Sequence, residues 1–135
     1  MKAILGDVNI EGHLKILLTL WESPNWCEFW AGLNLVVLAF DDINLSQKTS
    51  DAVVWQTCQQ EQLILVTANR NADGPDSLEA TLRTQNKTTS LPVFTIANAD
   101  RVILSRDYAE RVAVQLLDYL LDIDRVRGTG RLYLP

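Results

Sequence analysis

Four short runs in this chain are continuously apolar rather than alternating: Ala3-Ile4-Leu5, Leu35–Phe40 (LVVLAF), Leu63–Thr67 (LILVT) and Pro92–Ala97 (PVFTIA). A strand with one face in water shows a polar residue at every second position. A strand covered on both faces stays apolar throughout. Between the runs lie stretches of helical periodicity. Leu14, Leu17, Leu18 and Trp21 recur at i, i+3, i+4 and i+7. The longest stripe is Ala109, Val112, Ala113, Leu116, Leu117, Leu120 and Leu121, in a helix opened by Ser105. Buried strands alternating with helices predict a three-layer α/β/α domain around a central, mainly parallel sheet of four to five strands. A chain of 135 residues predicts one domain over 1–135, with 125–135 as a flexible or edge-strand tail.

Local signals place the remaining elements. Ser23-Pro24 reads as a cap and first-turn proline for a short second helix. Trp26, Phe29 and Trp30 share one face of it, and Gly32 ends it. Asp41–Gln47 reads as polar loop. Ser50 is expected to cap a third helix with Val53, Val54 and Cys58 facing inward. Asp76 and Glu79 have capping-box spacing for a fourth helix carrying Leu78 and Leu82, and Gln85–Ser90 reads as linker.

The net charge is -5 and is unevenly placed. Residues 1–97 hold 6 basic and 11 acidic side chains; residues 98–135 hold 6 of each. An acidic surface repels phosphates, so nucleic-acid binding by bulk charge is excluded unless a metal or basic patch intervenes. Cys27 and Cys58 make no disulfide framework, and His13 is the single histidine, so no zinc cluster can be built. There is neither a signal-peptide pattern nor an apolar run long enough for a membrane span. The expected setting is cytoplasmic.

In an open parallel sheet, sites lie beyond the carboxyl ends of the strands. That rule selects Asp7, Asp41 and Asp42, Thr67 with Asn69, Asn71 and Asp73, and Asn98 and Asp100. Asp51, opening the third helix, points to the same rim. Converging carboxylates suit Mg²⁺ or Mn²⁺, which prefer oxygen ligands and can activate water for phosphodiester cleavage. Each acid also has an ordinary reading: Asp51 and Asp76 suit helix N-termini, and Asp41-Asp42 suits a solvated loop. Asp7 is harder to dismiss, because a lone acid ending an apolar strand is costly to desolvate unless used or paired. His13 reads as a cap or exposed residue near the rim. Trp21, Trp26, Trp30 and Trp55 read as core, with a homodimer contact expected of any left exposed.

Gly6-Asp7-Val8-Asn9 followed by Gly12-His13 resembles the opening of small bacterial PIN-like proteins. Asp51, Val54, the LILVT run and Thr67 resemble the same family's later pattern of an acid, a helix, and an apolar strand ending in Thr, followed by x-Asp-x-Asp. The resemblance covers roughly residues 1–75. It implies a Mg²⁺- or Mn²⁺-dependent ribonuclease, often a toxin paired with a protein antitoxin. Asp7 and Asp51 match its metal-binding acids, and Thr67 matches its strand-end hydroxyl. Asn69 and Asn71 stand where the family has two Asp residues. Asparagine keeps an oxygen but loses the charge. Asp73 is the nearby replacement acid. The same resemblance therefore also admits a catalytically silent PIN-like domain that binds a protein partner or dimerises.

Arg70 is the one cation of the 69–76 loop, suited to an RNA phosphate, to Asp73 or Asp76, or to solvent. Arg125, Arg127 and Arg131, beside Gly128-Thr129-Gly130, suit RNA phosphates or an acidic partner. The ordinary reading is a solvated tail that neutralises Asp122 and Asp124.

Overall fold

A computed structural model describes residues 1–69 and 74–135. Among these there are five strands and six helices, in the predicted order apart from one additional helix after the fourth strand. The strands are β1 (Ala3–Gly6), β2 (Val36–Leu38), β3 (Leu63–Thr67), β4 (Val93–Ile96) and β5 (Arg131–Leu134). The helices are α1 (Glu11–Trp21), α2 (Cys27–Leu33), α3 (Asp51–Glu61), α4 (Leu78–Gln85), α5 (Ala99–Leu104) and α6 (Arg106–Leu121). All neighbouring strands are parallel, in the order β2-β1-β3-β4-β5.

The period-2 geometry of a strand splits the apolar runs between two cores. Ile4, Ile64, Val66, Phe94 and Ile96 face one side, against α1 and α6. Ala3, Leu5, Leu63, Leu65 and Val93 face the other, against Val54, Trp55 and Cys58 of α3 and Leu78 of α4. The result is the expected three-layer arrangement. Trp21 closes the first core. It is fully buried, stacks on Trp30 at 4.7 Å, and its indole N–H donates to the Ala113 carbonyl at 2.8 Å.

Two of the four expected helix caps hold. Ser50 and Ser105 accept from the third backbone N–H beyond them, and Ser50 starts α3 where predicted. Other local expectations are corrected. α2 begins at Cys27, because Ser23 and Pro24 form the turn before it, and it ends past Gly32 with Asn34 in the left-handed region. Ser77 rather than Asp76 caps α4, and α4 runs on to Gln85. Val53 and Leu121 are exposed, at 45% and 46%; Trp55 takes the inward place beside Val54. Asp41–Ile43 belongs to a 3-10 turn, Phe40–Ile43, rather than to loop. α5 is an additional short helix, capped by Asn98. β2 is shorter than its apolar run and lies at the sheet edge, with Val36 exposed.

The tail is a strand, not a flexible end. Gly128 and Gly130 both have positive φ, at 85° and 83°. A Cβ on Gly128 would lie 2.9 Å from Thr88 backbone atoms, so only glycine fits the turn that steers β5 against β4.

Burial of Cys58 between α3 and the sheet pushes its thiol well above the ordinary value of 9.0, to about 12. The unfolded chain would lose that proton from about pH 9 while the folded chain keeps it. The folded state therefore loses stability as pH rises above that point. A thiol reagent at pH 8 should label half-buried Cys27 and leave Cys58 unreacted until denaturant is added; mass spectrometry of tryptic peptides reads this directly.

Candidate active site

The strand order reverses direction at β1. From it the chain goes first to β2 on one side and later to β3 on the other. The loops leaving β1 and β3 therefore diverge, and a crevice opens at their carboxyl ends. A cleft of about 360 Å³ lies there. Phe40, Val54, Leu65 and Leu78 give it an apolar base; Asp7, Asn9, Gln47, Thr49, Asp51, Thr67 and Asn69 supply its polar wall.

Each polar side chain is placed by an element. Asp7 follows the last residue of β1, and its backbone N–H still reaches the Val66 carbonyl at 3.1 Å, extending the ladder. Thr67 ends β3 and is 2% exposed. Its hydroxyl donates to Asp7 Oδ2 at 2.9 Å and accepts the Asn69 backbone N–H at 2.9 Å. Asp51 is the first residue of α3, where the helix dipole favours an acid. Asn69 then closes the set, its side-chain Nδ2 donating to Asp51 Oδ2 at 2.9 Å. Thus Asp7, Thr67, Asn69 and Asp51, which come from three separate stretches of sequence, form one hydrogen-bonded chain.

Other rim residues have different tasks. Asp42 accepts the Ala39 backbone N–H at 2.8 Å and holds the 3-10 turn, while Asp41 and Asp76 are exposed. Asn98 caps α5, accepting from Arg101. His13 is half-buried on α1 and does not line the cleft. Arg70, Asn71 and Asp73 lie outside the described residues.

The tail arginines separate from the site and from one another. Arg125 pairs with Asp122 at 3.2 Å and Arg127 with Asp124 at 2.8 Å. Arg127 also donates to the Thr89 carbonyl at 2.9 Å. Exposed pairs of this kind contribute little. Arg131, expected at the surface beside a phosphate or partner, is instead inside the protein with its side chain 6% exposed. It pairs with Glu79 at 2.6 Å and donates to Thr95 Oγ1 and to the Asn69 carbonyl, both at 2.7 Å.

Sequence reasoning missed Gln47 and Thr49 as cleft residues. Thr49 stands beside the Ser50 cap, two residues before Asp51, so its place near the rim was available as a local signal. The pairing of Arg131 with Glu79 has no local signal, because it joins β5 to α4 across the sheet.

Among the described residues, no group of three or more Asp, Glu, His or Cys side chains gathers as a metal cluster. The cleft instead offers two carboxylates among hydroxyl and amide oxygens. That all-oxygen set suits a hard cation such as Mg²⁺, which is commonly bound through one or two carboxylates and keeps several waters. No protein-family profile matches this chain, and neither a curated protein nor a solved structure matches it significantly.

Thr67→Val keeps the shape of the side chain but removes the donor to Asp7 and the acceptor for Asn69. Leaving these partly buried groups unpaired should cost about 1–3 kcal/mol in urea unfolding. Thr67→Ser should recover most of it.

Proposed function

We propose that this protein is a PIN-like, metal-dependent ribonuclease that uses Mg²⁺ or Mn²⁺. The observation that carries this reading is the meeting of Asp7 and Asp51 at one cleft on the switch point of the sheet, linked through Thr67 and Asn69. Asp7 and Asp51 would hold the cation. When bound, it supplies positive charge against a phosphodiester and makes water more nucleophilic. Thr67 orients Asp7, and Asn69 orients Asp51, so that among the described residues the carboxylates keep their places through neutral donors. The substrate class is single-stranded RNA. The PIN-like resemblance adds a toxin–antitoxin role, with a protein antitoxin as partner.

A second reading rests on Asn69. Its carboxamide donates to Asp51, so this position satisfies an acid instead of adding one. That favours a PIN-like domain without catalysis, acting through a protein partner or as a homodimer.

Calorimetric titration of Mn²⁺ into the wild type and Asp7→Asn, with a single-stranded RNA cleavage assay on both, separates the readings. The ribonuclease reading expects metal binding and metal-dependent cleavage in the wild type. Asp7→Asn should weaken binding by about tenfold or more, the scale on which ligand charge tunes divalent sites, and should abolish cleavage. Binding without cleavage supports the silent domain. Absence of both in the wild type removes the ribonuclease.

A further inference from the structure

Arg131 is the most deeply buried cation for which the structure gives a set of partners, and its location has a bearing on the cleft. Its guanidinium spans three elements. Nε faces Glu79 of α4 at 2.6 Å, and Nη1 is shared between Thr95 of β4 and the carbonyl of Asn69, which follows β3. Nη2 is also buried and has no hydrogen-bond partner among the described residues. Removing an arginine from water is expensive, and one carboxylate with two neutral acceptors is a modest return. A staple needed only to hold β5 would be served by apolar packing.

The distinctive contact is the one to Asn69. This residue enters the site three ways. Its carbonyl is held by Arg131, its N–H is given to Thr67 Oγ1, and its side chain is given to Asp51. Thr67 in turn donates to Asp7. The placement of one residue, Asn69, therefore bears on the donors to both carboxylates. Arg131 is not among the residues lining the cleft, so it does not meet a ligand there directly.

We infer that Arg131 is a positioning residue: from outside the cleft lining it holds the Asn69 carbonyl, and through Asn69 and Thr67 it orients Asp51 and Asp7. As a statement about metal binding this rests on the proposed function. As a statement about the geometry of Asn69 it stands without it. Glu79 and Thr95 hold the guanidinium at the correct height, which makes them part of the same device.

The test uses the full chain and two readouts. Glu79→Leu combined with Arg131→Met replaces the buried guanidinium and its partly exposed partner by apolar groups of similar size, an exchange that commonly preserves stability when a pair is buried. The first readout is the NMR position of the Asn69 side-chain amide protons. They should move toward the values of an unbound carboxamide, while the rest of the spectrum keeps its dispersion and thermal unfolding stays cooperative. The second is calorimetric titration with Mn²⁺ alone, whose affinity should fall by about tenfold, as outer-layer partners of metal ligands typically cause. A folded double variant with unchanged Asn69 signals overturns the inference. If the double variant does not fold, Thr95→Val decides. It removes one acceptor from Nη1 without changing shape and should shift the Asn69 signals in the same direction by a smaller amount; no shift overturns the inference. If the wild type binds no Mn²⁺, the metal reading fails separately and the Asn69 signals alone decide the role of Arg131.

Discussion

Burial of β1 and β3 on both faces organises this molecule. Ile4, Leu5, Ile64 and Val66 are at most 5% exposed, and alternate residues of the same strands feed two different cores. Each fully buried Leu, Ile or Val contributes roughly 1.5–3 kcal/mol relative to exposure. A one-residue slip of either strand would exchange the two faces wholesale, so the parallel register is strongly specified. Once β1 and β3 are locked side by side, the residues at their carboxyl ends have little freedom. Asp7 and Thr67 are neighbours because Gly6 pairs with Val66.

The polar cleft follows from that packing. β1 and β3 carry no charged residue along their buried length, so the charged groups next to them stand at the rim, where backbone pairing ends and water enters. The Thr67 hydroxyl is the hinge between the two regimes. It is nearly as buried as the strand beneath it, yet it donates to one side chain at the rim and accepts from the backbone beyond it. A buried hydroxyl without partners is costly, so its two bonds secure the fold and the geometry of the cleft together.

Much of this was legible in the chain itself, for identifiable reasons. The LILVT run coincides with β3, because a central strand needs both faces apolar and has no latitude in its ends. The rule of carboxyl-end sites selected Asp7, Thr67 and Asn69 among other residues, and the start of the third helix added Asp51. What escaped depended on contacts between distant elements. β2 was expected to be fully buried, but a strand at a sheet edge shares only part of the core, and Val36 turns outward. Between the two competent caps Asp76 and Ser77, it is Ser77, 6% exposed, that accepts from Ala80. α5 is too short to show a periodic stripe. Arg131 looked like one of three similar tail cations, since nothing near it in sequence announces Glu79. The Gly128–Gly130 turn that carries it inside acts through a close approach to Thr88, which a linear reading cannot see.

The distribution of charge ties these points together. The donors that hold Asp7 and Asp51 in the cleft are a hydroxyl and a carboxamide, both neutral. Among the described residues no lysine or arginine lines the cleft. The nearest buried guanidinium, on Arg131, is committed to Glu79 and to neutral acceptors. Among the described residues, the negative charge of the cleft is therefore not cancelled from within. A concave site of one sign, floored by apolar side chains of low dielectric, focuses its potential outward. Such a site favours a cation over a bare phosphate, so on the proposed ribonuclease reading the cation comes first. A lysine in place of Asn69 would pair with Asp51 more strongly than the carboxamide does, but it would discharge the cleft. Asparagine at this position orients the acid while leaving its charge uncompensated by the amide, and for the proposed cation site that is the physical difference from a salt bridge already made.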